Sequence, residues 1–220
     1  MHTPRCNHAI GEVREYAEMA VQRGLKEIGM SDHSPMPDGF DAAWRMDIAE
    51  LPSYLREVEC VREEFASELI VRVGLEADFH PGAEEAVQSI IDGYDWDYVM
   101  GSVHYIGDWA FDNPDEMERW EAMNPEDVYC DYFDLLASSA ATGMFDMIGH
   151  PDLIKKFGQR APEGSKRVDK AESLMLEAVK ASGTVLEISS AGLRKPVAEI
   201  YPHTRIVKKA AAMGIPFCFG

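Results

Sequence analysis

Val99-Met100-Gly101-Ser102-Val103-His104-Tyr105 is an apolar run that ends in a histidine. Asp95 and Asp97 precede it, and Gly107 and Asp108 follow. A buried strand that presents one imidazole at its C-terminal end is how β/α enzymes place a metal ligand or a catalytic base. The chain repeats the device in Ile28-Gly29-Met30-Ser31-Asp32-His33, in Val71-Arg72-Val73-Gly74-Leu75-Glu76 and in Met147-Ile148-Gly149-His150. Four apolar runs that each end in a histidine or a glutamate read as parallel strands whose ends share one face.

Between these runs the apolar spacing changes to three and four. Val13, Tyr16, Ala17, Ala20 and Val21 predict a helix over 11–23, closed by Gly24. Further helices are predicted over 48–69 with Pro52 in the first turn, over 81–93, and over 125–142 with Asn124 as N-cap and Gly143 as terminator. Two more are predicted over 169–182 and 204–213, and strands over 25–30, 70–79, 97–105, 145–149, 184–189 and from 215 onward. Alternation of this kind means right-handed βαβ units and a parallel sheet. No GxGxxG or GxxxxGK[ST] occurs, so a barrel is preferred to an open nucleotide-binding sheet, as a single domain over residues 1–220. The polar stretch 106–124, with Trp109, Phe111 and Trp120, is long enough to be a lid or binding loop.

Composition narrows the function. The net charge of −18 repels phosphate backbones and argues against nucleic acid as a partner. No apolar stretch approaches the roughly 20 residues of a membrane span, and no leader is legible at the N-terminus. Cys6, Cys60, Cys130 and Cys218 are far apart and form no CxxC, so reduced thiols and a cytoplasmic setting are expected.

His2, His8, His33, Glu76, His104 and His150 are all expected at or just past strand ends. Imidazole and carboxylate suit zinc, iron or manganese, and one carboxylate among several imidazoles can bridge two ions. A single strand-end histidine is usually a hydrogen-bonded structural residue; it is the recurrence that favours ligands. Asp78 and Asp32 fit a role orienting a ligand from behind, or simple loop capping. His80 in a His-Pro-Gly turn reads as a turn residue, and His203 after Pro202, near a helix start, as a surface residue. Arg160, Arg194 and Lys195 are cations on loops of a very acidic chain; bidentate arginine is the usual phosphate clamp, and a solvated loop charge is the plainer alternative. The acidic stretch 112–131 reads as a solvated face, or as a surface for a cationic part of a substrate, with Trp109 or Trp120 adding cation–π contact.

The runs His-Thr-Pro-Arg-Cys-Asn-His-Ala (2–9), Ser-Asp-His (31–33), Gly-Leu-Glu-Ala-Asp (74–78), Gly-Ser-Val-His-Tyr (101–105), Gly-His-Pro-Asp (149–152) and Glu-Ile-Ser-Ser-Ala-Gly-Leu-Arg-Lys-Pro (187–196) resemble the polymerase-and-histidinol-phosphatase (PHP) family, and within it the monofunctional histidinol-phosphate phosphatases. The resemblance implies a distorted (β/α)7 TIM-like barrel and up to three divalent ions, zinc, manganese or iron. The implied reaction is hydrolysis of L-histidinol phosphate to L-histidinol and phosphate, in histidine biosynthesis, by attack of a metal-bound hydroxide. By position, His2 and Glu76 would hold one ion, Glu76, His104 and His150 a second, and His8 and His33 would belong to a third. Arg160 and Arg194, with Lys195 and Ser102, would receive the phosphate; Glu76, His104, Arg160 and Arg194 carry the chemistry. The family opens on Asp-x-His-x-His and continues past the final strand with Gly-Ser-Asp-Ala-His. On that comparison the first strand is mostly missing, the last is cut short and three ligands lie outside the chain, as in a fragment of a longer reading frame. A PHP phosphoesterase with another substrate and an inactive metal-binding fragment are the two alternatives.

Overall fold

The first strand runs straight through its histidine: β1 spans Glu27–His33 in the computed structural model, which describes residues 1–220. The chain folds as two units, Met1–Asp78 with Gly82–Met100, and Phe79–Pro81 with Gly101–Gly220.

In the first unit β1 is followed in the sheet by β2 (Ile70–Asp78) and then by the opening residues of β3 (Tyr98–Ser102). β1 and β2 are parallel, with His33 paired in register with Glu76. Paired residues of neighbouring strands project to the same face, so this register alone sets an imidazole beside a carboxylate. α1 (Val13–Gln22) opens with a capping box between Glu12 and Glu15 and packs on β1 and on α2 (Leu51–Phe65), which covers β2. The helix expected over 48–69 is shorter because Asp47 first caps a separate 3-10 turn, Ile48–Glu50, and Pro52 then occupies the first α-turn. α3 (Glu84–Asp92) completes the unit. Gly29 and Gly74 lack side chains for a reason of space: a Cβ on Gly74 would fall 2.3 Å from the ring of Tyr98, which lies over both positions.

In the second unit the order is β3, β6 (Met147–Ile148), β7 (Val185–Ile188) and β8 (Phe217–Phe219), with β6–β7 and β7–β8 parallel. α4 (Pro125–Ala141) packs against α5 (Lys166–Ser182), and α6 (Thr204–Met213) precedes β8. Asn124 caps α4 as expected. α5 starts earlier than its apolar pattern because the Ser165 hydroxyl accepts the Val168 N–H and recruits the charged turn Lys166-Arg167.

The polar stretch 106–124 is not an open lid. It forms an antiparallel hairpin, β4 (Tyr105–Ile106) with β5 (Trp109–Ala110), and a 3-10 run, Pro114–Ala122. Trp109 is 0% exposed and Trp120 is 6% exposed, their rings meeting edge to face at 5.0 Å. Burial of two indoles outweighs the polarity of the sequence around them. The expectation that either ring faces a substrate is therefore corrected.

Candidate functional site

Met1–Ala9 precedes the first strand and α-helix, yet it is fixed in place. The Met1 carbonyl accepts the Ser31 N–H, and Thr3 caps a 3-10 turn, Pro4–Cys6, that Asn7 ends in the left-handed region. Buried Asp32 is the anchor. It accepts the Thr3 N–H at 3.0 Å, the Thr3 hydroxyl and the His33 N–H at 3.0 Å. His2 is thereby delivered over β1 and β2, with Nδ1 3.5 Å from Asp32 and Nε2 3.2 Å from Glu76. The His2 and His33 rings stack at 4.4 Å, and His33 Nδ1 lies 3.9 Å from the other Glu76 oxygen. Burial lowers the pKa of His2, but bonds to Asp32 and then Glu76 outweigh it and hold it above its ordinary value. Against burial, His2 and Thr3 hold Asp32 below the usual carboxylate range.

His8 stands 5.1 Å from His33 and 5.6 Å from His2, centroid to centroid. Its Nδ1 donates to the Cys6 carbonyl at 2.8 Å, which leaves Nε2 as the acceptor nitrogen, 3.8 Å from the Cys6 thiol. Burial and the neighbouring His2 lower its pKa. Asp78, two residues beyond Glu76 on β2, is ion-paired with buried Arg45, whose Nε also meets Asp41 at 3.1 Å.

This donor set fits a divalent ion. His2, His33 and Glu76 each offer one atom within 4.8 Å of the others, and Glu76 is 3% exposed. A carboxylate that deeply buried needs cationic or hydrogen-bonding company, and two imidazoles with one carboxylate are a borderline-soft set of the kind zinc takes.

In the second unit His104 and His150 approach each other with ring centroids 5.0 Å apart, and the Ser102 hydroxyl is 3.4 Å from His150 Nε2. His150 has φ +27°, a costly conformation for a non-glycine residue. Its backbone is clamped from both sides: the N–H donates to Glu187 Oε2 at 2.6 Å, and the carbonyl accepts the Tyr132 hydroxyl at 3.1 Å. Enforced strain at one candidate ligand marks the strand end as built for a task. Glu187 and Tyr132 carry no sequence signal for this, because they meet His150 from 37 and 18 residues away.

The cations separate. Arg194 and Lys195 are exposed, on the 3-10 turn Ala191–Arg194 and just after it. Partial burial, then the charges of Lys156 and Arg194, lower the pKa of Lys195, so three cations share this corner. Lys156 also binds Asp112 at 3.0 Å. Arg160 instead forms a two-pronged pair with Glu199, at 3.2 and 2.8 Å. It lines a different cavity, of about 660 Å³, together with Asp152, Lys155, His203 and Arg205 and without Arg194, Lys195, Ser102, His104 or His150. Asp152 points into an interior ion pair with Lys155 at 2.8 Å, and burial pushes its carboxyl up to about 6. His80 bonds the Gly107 carbonyl in its turn, and His203, exposed as expected, also caps α6.

A family model described as "PHP domain" matches residues 1–191. A Deinococcus radiodurans protein named "Probable histidinol-phosphatase" is 47% identical over 220 residues, covering 100% of this chain and 83% of its own length. The Bacillus subtilis "Histidinol-phosphatase" is 30% identical over 243 aligned positions, covering 100% and 90%. A Lactococcus lactis histidinol phosphate phosphatase, solved with zinc, L-histidinol and phosphate, shares the fold at TM-score 0.82 and 20% identity, covering 100% of this chain and 82% of that one.

Proposed function

The chain belongs to the PHP domain family, and from that premise we propose that it is a divalent-metal-dependent phosphomonoesterase that hydrolyses L-histidinol phosphate to L-histidinol and phosphate. The observation that carries the reading is the convergence of His2 and His33 on buried Glu76. Two relatives that cover this chain end to end bear the histidinol-phosphatase name, and a structural neighbour was solved with zinc and both products of that reaction. The distorted seven-stranded β/α barrel, the single-domain organisation and a cytoplasmic, biosynthetic setting belong to the same reading. No helix is long and apolar enough to cross a membrane.

In this reading His2, His8, His33 and Glu76 of the first unit and His104 and His150 of the second are the metal ligands. Bound divalent ions supply Lewis acidity and lower the pKa of water toward neutrality. The chain's own residues do the rest. The Cys6 carbonyl fixes the tautomer of His8, and Asp32 orients His2. Glu187 and Tyr132 hold His150 in its strained pose with its Nε2 3.4 Å from the Ser102 hydroxyl, and Ser102 is assigned to the phosphate. Arg194 and Lys195 bind the phosphate and supply local positive charge on an acidic chain, with Lys156 beside them already paired to Asp112. Arg160 joins them only by leaving Glu199.

Phosphate release from L-histidinol phosphate tests the proposal. Activity is expected to vanish on chelation and to return with zinc or manganese; turnover indifferent to chelator would sink it. Arg194→Ala is expected to raise KM roughly tenfold or more, the scale of a charge-assisted phosphate contact, with a smaller fall in kcat.

A further inference from the structure

The chain has four tryptophans. Trp109 and Trp120 are interior, and Trp96 donates its indole N–H to the Ile91 carbonyl ahead of β3, at the end of the strand opposite His104. Trp44 alone stands among the candidate ligands. Its ring is 5.6 Å from that of His8, tilted by 59°, and it is 39% exposed. It sits on the loop that follows β1 and His33, in a 3-10 turn, Ala42–Trp44.

That loop is held in shape. Asp38 and Asp41 have φ of +55° and +58°, conformations that persist in non-glycine residues only where the surroundings impose them. At Asp41 the constraint comes from the residue after Trp44: Arg45, buried, ties Asp41 to Asp78 on β2. An indole is thus fixed beside a metal-ligand candidate with part of its surface open to solvent. A ring needed only to shield His8 would gain by burying that surface, as Trp109 does.

We propose that Trp44 is a specificity-determining residue that receives the cationic organic end of the substrate through the face of its indole. The inference rests on the phosphatase reading above. In L-histidinol phosphate the ammonium nitrogen lies three bonds from the ester oxygen, so a phosphoryl group held at the ligand cluster sets the ammonium within one ring's reach of His8. Indole is the strongest cation–π acceptor among the side chains.

The test compares zinc-loaded wild type, Trp44→Phe and Trp44→Ala on L-histidinol phosphate and on glycerol phosphate, which has no cation. Trp44→Ala is expected to lower kcat/KM for histidinol phosphate roughly tenfold, mainly through KM, with glycerol phosphate changed less than about twofold and Trp44→Phe in between. Equal losses on both substrates, or none, overturn the inference and leave the phosphatase reading intact. A binding arm needs no turnover: L-histidinol is expected to quench tryptophan emission in wild type and not in Trp44→Phe. Absence of that quenching overturns the role of Trp44 by itself, whereas failure of the metal-loaded wild type to hydrolyse histidinol phosphate overturns the phosphatase reading instead.

Discussion

Glu76→Gln is expected to lower phosphate release from L-histidinol phosphate by about 10²–10³-fold at saturating metal. The side chain keeps its shape and loses its charge. Glu76 is 3% exposed, meets His2 Nε2 at 3.2 Å and stands in register with His33. Gln offers one neutral oxygen and an NH₂ that would point at an imidazole or an ion, so the centre loses its anion and gains a misplaced donor. Two measurements separate this from simple misfolding. Zinc is expected to raise the Tm of wild type by mass action and to leave the variant unmoved, while the metal-free Tm values differ little, since a buried anion is costly to keep. A variant that still binds zinc as tightly as wild type would remove Glu76 from the centre.

The same residue sets a pH dependence. Asp32 and Glu76 hold the His2 pKa above its ordinary 6.5 against the pull of burial. A raised folded pKa means that protonated His2 stabilises the metal-free fold at low pH, and that this contribution is lost as pH rises through the raised value. An ion must displace that proton, so zinc affinity is expected to climb with pH up to the raised His2 value and to level off once His2 is neutral. In metal-free Glu76→Gln the His2 pKa is expected to move down, because one of the two supporting carboxylates is gone; an NMR titration of the imidazole reads that shift, and isothermal titration of wild type with zinc at several pH values reads the released proton.

The strands that carry the candidate ligands were legible because strand-end chemistry is local. The apolar runs ending at His33, Glu76, His104 and His150 carry their period and their terminal residue within a few positions of each other. His33 at the end of β1 and Glu76, two residues before the end of β2, emerge in register, whereas β3 and β6 end just short of their histidines. Pairings made across the chain left no trace. Nothing near Asp78 announces Arg45, 33 residues earlier, and nothing near His150 announces Glu187. Polarity misled where aromatic burial decided: Trp109 and Trp120 sit in an acidic stretch and are interior all the same. Arg160 was legible as a cation but not as the partner of Glu199. A charge shows in sequence; the partner that neutralises it does not.

Gly192→Ala is expected to cost about 3 kcal/mol, the upper range for overpacking, and to lower Tm by roughly 6–12 °C in a chain of this size. The reason is space and not backbone conformation. A Cβ on Gly192 would fall 2.0 Å from the Glu199 carbonyl oxygen and 3.0 Å from the ring of Tyr201, which is 1% exposed. A clash with a flexible side chain is relieved by rotation; this one is with backbone that cannot step aside. Ser189 and Tyr201 exchange two backbone hydrogen bonds, at 2.6 and 2.9 Å, and the Ile200 carbonyl accepts a bond from buried Lys155 at 2.8 Å, so the segment after Glu199 is fixed in place. The turn itself must shift, and it carries Arg194 and Lys195. KM for the phosphoester is therefore expected to rise while zinc content stays at the wild-type level, since no ligand candidate lies on the turn. Gly24→Ala is the control: nothing lies within 4 Å of its added Cβ, and its φ of +73° alone is expected to cost about 1–2 kcal/mol. If Gly192→Ala melts within about 2 °C of wild type, the close packing of the Arg194 turn against Glu199 is wrong, and with it the case that this turn holds two cations in a fixed place for phosphate.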